Sequence, residues 1–144
     1  MTSILVVYSS LNGENSKSTE LADYYLQSRE GSETSVTKVD VAELALAHLT
    51  GEEMQAYFDR IARAGITFKY TETGPVGLLE GKQAKVFASR GGVYEGGDYD
   101  TQTPYLTHFL NFIGITDVKF VYAEGLSMGE DSANESIANA KGKI

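Results

Sequence analysis

Ser3-Ile-Leu-Val-Val-Tyr8, then Ser9-Ser-Leu-Asn-Gly-Glu-Asn-Ser-Lys-Ser18, then a helical pattern from Thr19 to Arg29: this succession decides the fold. The first stretch is a continuous apolar run bounded by polar residues, the pattern of a strand buried on both faces of a parallel sheet. The second is a polar loop rich in small residues. In the third, Leu21, Tyr24, Tyr25 and Ser28 share one face at helical spacing, and Gly31 stands where a helix stop is expected. Strand, loop and helix in that order open a βαβ unit.

The alternation continues outward. Val36 to Val39 reads as a second, shorter strand. Thr50-Gly-Glu-Glu53 is a capping box with Thr50 as N-cap. The helix it opens carries Met54, Tyr57, Phe58, Ile61 and Ala62 as a one-sided stripe, and Gly65 ends it. Ile66 to Leu79 contains Gly74-Pro75 and reads as an extended, turn-bearing excursion. Lys85-Val-Phe-Ala88 is a third strand, followed by the glycine loop Ser89-Arg-Gly-Gly92 and a polar loop from Tyr94 to Asp100. Pro104 opens a helix, Tyr105 to Phe112, which Gly114 stops. Val118 to Ala123 is a fourth strand, and the tail from Asp131 to Ile144 is weakly helical. Strands alternating with helices predict an α/β fold, a doubly wound parallel sheet with helices on both faces.

With 144 residues the chain has the length of one domain, 1–144, able to bury a core without staples. It has no cysteine, which excludes disulfides, thiolate metal sites and thiol catalysis. The net charge of −8 argues against nucleic acid as a partner. A dianionic ligand then needs local help from the N–H groups of a helix N-terminus. No apolar run approaches a membrane span, and Met1 leads directly into a strand pattern with no charged region and cleavage site ahead of it. The expectation is a cytoplasmic protein with no membrane partner.

In sheets of this kind the ligand lies beyond the carboxyl ends of the strands, which directs attention to Ser9–Ser18, Ser89–Gly92 and Glu124–Met128. Ser10, Asn15, Ser16 and Ser18 precede a helix, and Lys17 adds a cation, a set suited to phosphate. The loop has neither the Walker spacing nor the three spaced glycines of a dinucleotide fingerprint. Taken alone, its serines read more simply as helix caps. Gly91 and Gly92 let backbone approach a flat ligand, or form an ordinary tight turn. Tyr70, outside any regular element, covers an aromatic ligand or fills core. His48 and His108 have no ligand-like neighbours and support neither a metal site nor a catalytic base.

Longer strings are more specific. They are Tyr57-Phe-Asp-Arg-Ile-Ala-Arg-Ala-Gly-Ile-Thr-Phe-Lys-Tyr70, Gly74-Pro75, Gly77-Leu78, Ser89-Arg-Gly-Gly92, Thr103-Pro-Tyr-Leu106, Phe109-Leu-Asn-Phe-Ile-Gly-Ile115, Asp117-Val-Lys-Phe120 and Ala123-Glu-Gly125. With the first strand and its serine loop, they resemble the bacterial FMN-dependent NADH azoreductases, a branch of the flavodoxin-like quinone reductases. The resemblance covers most of the chain.

The resemblance implies a homodimeric enzyme in which FMN accepts hydride from NADH and passes two electrons to a quinone or an azo bond. It places Ser10, Ser16, Lys17 and Ser18 where the family holds the FMN phosphate, with Lys17 in place of the glutamine typical there. It places Ser89, Arg90, Gly91 and Gly92 beside the isoalloxazine ring, and Tyr70 on the substrate side. It singles out no catalytic side chain and no metal.

One departure matters. Family members carry a further strand before the helix of Tyr57, ending in a Pro-Met-Tyr-Asn-Phe type loop around the flavin, and this sequence lacks both. The join falls near Gln55, as if two family helices were fused into one from Thr50 to Ala64. The expected sheet is then reduced to about four strands in the order 2-1-3-4, with the first and third strands closing the gap or a second chain completing the site. Two other readings accompany the enzyme: a truncated or engineered remnant with weak or no flavin binding and no catalysis, and a flavodoxin-like electron-transfer protein.

Overall fold

The structure, a computed structural model, describes residues 2–8, 10, 15–29, 34–40 and 58–144. Among these, β1 (Thr2–Tyr8), α1 (Lys17–Gln27) and β2 (Thr34–Asp40) form the first βαβ unit. β3 (Phe68–Thr71) and β4 (Gly74–Gly77) follow, then β5 (Gln83–Ser89), α2 (Gln102–Phe112), β6 (Asp117–Ala123) and α3 (Glu130–Gly142). The α/β class and the strand–helix alternation are as expected. The capping box at Thr50, the join near Gln55, His48 and the helix stop at Gly31 lie outside the described residues, as does most of the fused helix; its residues 58–61 are helical.

β1 and β2 pair in parallel, Ile4 opposite Val36 and Tyr8 opposite Asp40. β5 and β6 are neighbours in a second two-stranded sheet. The Gln83 side chain donates to the Asp117 carboxylate where both strands begin, and the Arg90 N–H donates to the Ala123 carbonyl where both end. These two strands therefore run parallel as well. The expected pairs 2-1 and 3-4 are both present, but as two separate sheets, with no ladder from β1 to β5 among the described residues.

Three local expectations are corrected. The extended, turn-bearing stretch is an antiparallel hairpin, β3–β4, in register Phe68 to Gly77 and Thr71 to Gly74, so Tyr70, expected outside any regular element, lies within β3. A four-residue strand around Gly74-Pro75 is too short for its alternation to be read, and the turn signal dominates. β1 is not buried on both faces. Ile4, Val6 and Tyr8 are half-buried, whereas Leu5 and Val7 are 64% and 38% exposed. Apolar composition records what a strand tolerates, and burial of each face depends on a layer that the strand itself does not encode. Pro104 is the third residue of α2, not its opener, because Asp100 accepts from the Thr103 N–H at 3.2 Å and from its hydroxyl at 2.8 Å.

The chain divides into two compact units. Unit 1 comprises Met1–Leu49, Phe87–Val93 and Val121–Ile144. Its core is Leu21, Val121, Ala123 and Ala140, with Phe87, Leu126, Ile137 and Ile144 packed against them. Leu21 is completely buried, which by its apolar area stabilises the fold by about 2 kcal/mol. Unit 2 comprises Thr50–Val86 and Tyr94–Phe120. There Phe58 packs on Phe109 with ring centroids 4.6 Å apart, and Phe68 packs on Phe112 at the same separation. Thr67 ends the helical turn at 58–61: its hydroxyl donates to the Ile61 carbonyl at 2.7 Å and accepts from the Arg63 N–H at 2.9 Å. Gly65, at φ +81°, then turns the chain back.

Candidate functional site

Ser16 and Ser18 place their hydroxyls at the start of α1. Ser16 is the N-cap: buried, its Oγ accepts from the Thr19 N–H at 3.2 Å and lies 3.1 Å from the Ser18 Oγ. The simple cap reading is therefore correct for Ser16, and it leaves the phosphate reading intact. That cap oxygen accepts from the Thr19 N–H, and the Lys17 and Ser18 N–H groups of the first turn lie at the positive end of an 11-residue helix. Ser10 is half-buried, just beyond the end of β1. Lys17 is engaged: its Nζ lies 3.0 Å from Glu20, one turn into the same helix. Glu20 also takes the Lys141 ammonium of α3 at 2.7 Å. The Lys141 hydrogen bond, then that of Lys17, holds the Glu20 carboxyl below its usual range.

A second polar cluster fastens α1 to the first sheet. Tyr8, the last residue of β1, donates its hydroxyl to Asp23 of α1, and the Lys38 ammonium of β2 lies 3.5 Å from the same carboxylate. Burial, then the hydrogen bond to Asp23, raises the Tyr8 hydroxyl above its ordinary value, against the opposing pull of Lys38.

Ser89 closes β5, and Arg90, Gly91 and Gly92 follow it as a loop, but the arginine faces inward. Arg90 is paired with Glu124 at 3.0 Å and stacks over the Tyr122 ring at 4.8 Å. The backbone joins the two loops further: the Leu126 N–H donates to the Arg90 carbonyl, Ser127 to Gly91 and Gly125 to Gly92, at 3.0 to 3.2 Å. The loop after β6 is in turn held by α3, since the Glu124 N–H donates to the Ser136 hydroxyl at 2.8 Å and the Ser132 hydroxyl donates to the Gly125 carbonyl at 3.0 Å. A Cβ on Gly91 would stand 2.7 Å from the Ser127 Oγ, so that position is small because the loops approach closely. Ser89 is exposed at the end of its strand.

The candidate residues of the serine and glycine loops thus all lie in unit 1. α1 and the ends of β5 and β6 meet there in one core, through Leu21, Phe87, Val121 and Ala123. Tyr70 belongs to unit 2. It lies within β3, 74% exposed, with its ring edge against Phe68 at 5.3 Å between centroids. His108 is an exposed residue of α2. Among the described residues no group of three or more His, Asp and Glu is placed to hold a metal ion, and no helix is long and apolar enough to cross a membrane.

Ser132, Ser136, Glu20 and Lys141 were not legible as site residues, and Glu124 was legible only as part of a loop beyond a strand, not as the partner of Arg90. The Lys17–Glu20 spacing of three was a readable signal for an ion pair on one helix face. The others act across long stretches of chain that only the fold brings together.

The geometry describes a flavodoxin-like fold with a phosphate-suited helix start and a close-packed glycine loop on a common core. The chain belongs to the family described as having a flavodoxin-like fold, whose sequence pattern matches residues 52–144. It is 50% identical to an FMN-dependent NADH:quinone oxidoreductase of Alteromonas mediterranea, over an alignment taking in 100% of this chain and 97% of the relative. A relative of the same description from Pseudoalteromonas atlantica is 37% identical over 98% of this chain and 95% of its own. The azoreductase of Bacillus anthracis superposes with a TM-score of 0.82 at 25% identity, covering 99% of this chain and 96% of that one. The Alteromonas alignment runs over 194 positions and this chain has 144 residues, so 50 positions face no residue of this chain.

Proposed function

We infer that this protein is an FMN-dependent NADH:quinone oxidoreductase with azoreductase capacity, working as one functional domain over 1–144. The observation that carries the reading is the 50% identity to the Alteromonas oxidoreductase across the whole chain. The chemistry FMN supplies when bound is acceptance of hydride from NADH and delivery of two electrons to a quinone or an azo bond. The residues present fit the phosphate end of that cofactor: two serine hydroxyls 3.1 Å apart at a helix N-terminus, with Lys17 beside them.

In this reading Ser10, Ser16 and Ser18 donate hydroxyl hydrogens to the phosphate, and Lys17 adds charge when it turns from Glu20. Ser89, Gly91 and Gly92 offer a flat backbone surface to the ring. Arg90 does not touch the cofactor; with Glu124 it fixes the loop that does. Tyr70 covers the substrate side. No side chain needs to act as a general base in the hydride transfer, which moves no proton from the protein.

The active species is a homodimer in the cytoplasm. Support for pairing comes from the exposed apolar side chains of Leu5, Tyr70 and Tyr99, the last 84% exposed. The purified protein is expected to absorb in the flavin band or to take up added FMN, to bind riboflavin far more weakly, and to oxidise NADH with a quinone. Sedimentation at micromolar concentration is expected to show two chains. A protein that neither holds nor takes up FMN overturns the enzymatic reading, and a monomer overturns the dimer alone.

A further inference from the structure

We propose that Lys141 tunes the affinity of the α1 N-terminus for a phosphate monoester by holding Glu20, so that Lys17 is free to turn to the ligand. The inference rests on the phosphate reading of the serine loop and adds two residues that it does not contain.

Glu20 is a carboxylate in the first turn of the very helix whose N-terminus is to receive a dianion. Its charge stabilises the helix but opposes the ligand. The carboxylate is shared. One oxygen takes the Lys17 ammonium at 3.0 Å, and the other takes Lys141 at 2.7 Å. Lys141 comes from the last turn of α3, 121 positions along the chain, and lies over the Tyr24 ring at 5.4 Å. Between them the two ammoniums and the one carboxylate carry one net positive charge.

The consequence follows from which partner is able to leave. Lys17 is the first residue of α1, next to the Ser16 cap, and its side chain is 48% exposed. Lys141 is less exposed, at 32%, and is anchored by its helix and by Tyr24. When phosphate arrives, Lys17 exchanges one anion for another. Glu20 then keeps Lys141 and stays neutralised. Without Lys141, the same exchange leaves a bare carboxylate within a turn of the phosphate, and Lys17 stays with Glu20. Lys141 is a positioning residue in this scheme and touches no ligand.

Flavin fluorescence titration of the full chain tests this, with FMN and riboflavin as probes and circular dichroism to verify folding. Lys141→Met is expected to weaken FMN about three- to fivefold, and Glu20→Gln to tighten it by a similar factor, with riboflavin unmoved by either. In the Glu20→Gln background, Lys141→Met is expected to change nothing further. A plain tie between α1 and α3 predicts instead that both changes weaken binding, and that result overturns the proposal. Lys141→Arg, which keeps the charge, is expected to bind FMN within about twofold of the parent; a larger loss also overturns it. If the unaltered protein binds riboflavin as tightly as FMN, the phosphate reading fails and takes the proposal with it. If FMN is preferred but Lys141→Met is silent, the proposal alone fails.

Discussion

The Arg90 guanidinium lies 3.0 Å from the Glu124 carboxylate, with the two side chains only 7% and 10% exposed. The residue that sequence resemblance sets beside a flavin ring is thus committed to the neighbouring loop. Its backbone repeats the tie, donating to Ala123 and accepting from Leu126. A buried ion pair of this kind contributes little net stability when compared with apolar residues, but losing one partner strands the other charge.

Glu124→Ala is therefore expected to destabilise the protein by about 3 kcal/mol, read by urea unfolding. Arg90→Met combined with Glu124→Leu is expected to recover most of that loss, because no charge is then left unpaired. A single-variant loss below about 1 kcal/mol would place the pair among ordinary surface bridges.

Gly77 is expected to tolerate no side chain. A Cβ there would stand 2.1 Å from the Gly114 nitrogen and 2.4 Å from its Cα, and backbone is unable to rotate away. The neighbouring Leu79 N–H donates to the Ile113 carbonyl at 3.0 Å, which holds the two segments together. Gly77→Ala should cost about 3 kcal/mol or prevent folding, whereas Gly81→Ala, with nothing within 4 Å but φ at +71°, should cost about 1 kcal/mol. Thermal melts of the two variants make the comparison, and equal costs would contradict the close approach.

Ser16 and Ser18 are expected to separate cap from ligand. Ser16→Ala removes the hydrogen bond from Thr19 and should cost about 1 kcal/mol in stability as well as FMN affinity. Ser18→Ala should lower FMN affinity with little effect on the melt. A Ser18 change that leaves FMN binding intact would remove that residue from the phosphate site.

The alkaline limb of stability is expected to belong to Tyr8 and Lys38. Both hold their protons more tightly in the folded state, Tyr8 chiefly through burial and Lys38 chiefly through its hydrogen bond to Tyr8. The folded protein then binds more protons than the unfolded chain from about pH 10 upward, so this contribution is complete below that range and is lost as pH rises through the folded values. Tyr8→Phe should lower stability at neutral pH yet flatten the decline above about pH 10. An unchanged alkaline slope in urea midpoints would show that the Tyr8–Asp23–Lys38 cluster does not titrate with folding.

What the sequence determined by itself is local. Apolar runs at Ser3–Tyr8 and Lys85–Ala88, the cap at Ser16 and the stops at Gly65 and Gly114 act over one turn or one strand, through backbone hydrogen bonds and side-chain periods that neighbours in sequence fix. That was enough for the α/β alternation and for the loops at the carboxyl ends of the strands. The tertiary structure decided what those loops do. Arg90 meets Glu124 across 34 positions and Lys141 meets Glu20 across 121, and both ion pairs exist only because β5, β6, α1 and α3 share the core around Leu21, Phe87, Ala123 and Ala140. Whether an arginine faces a ligand or a carboxylate depends on which charge lies within a few ångströms, and Coulomb energy falls with distance in space, not with separation along the chain.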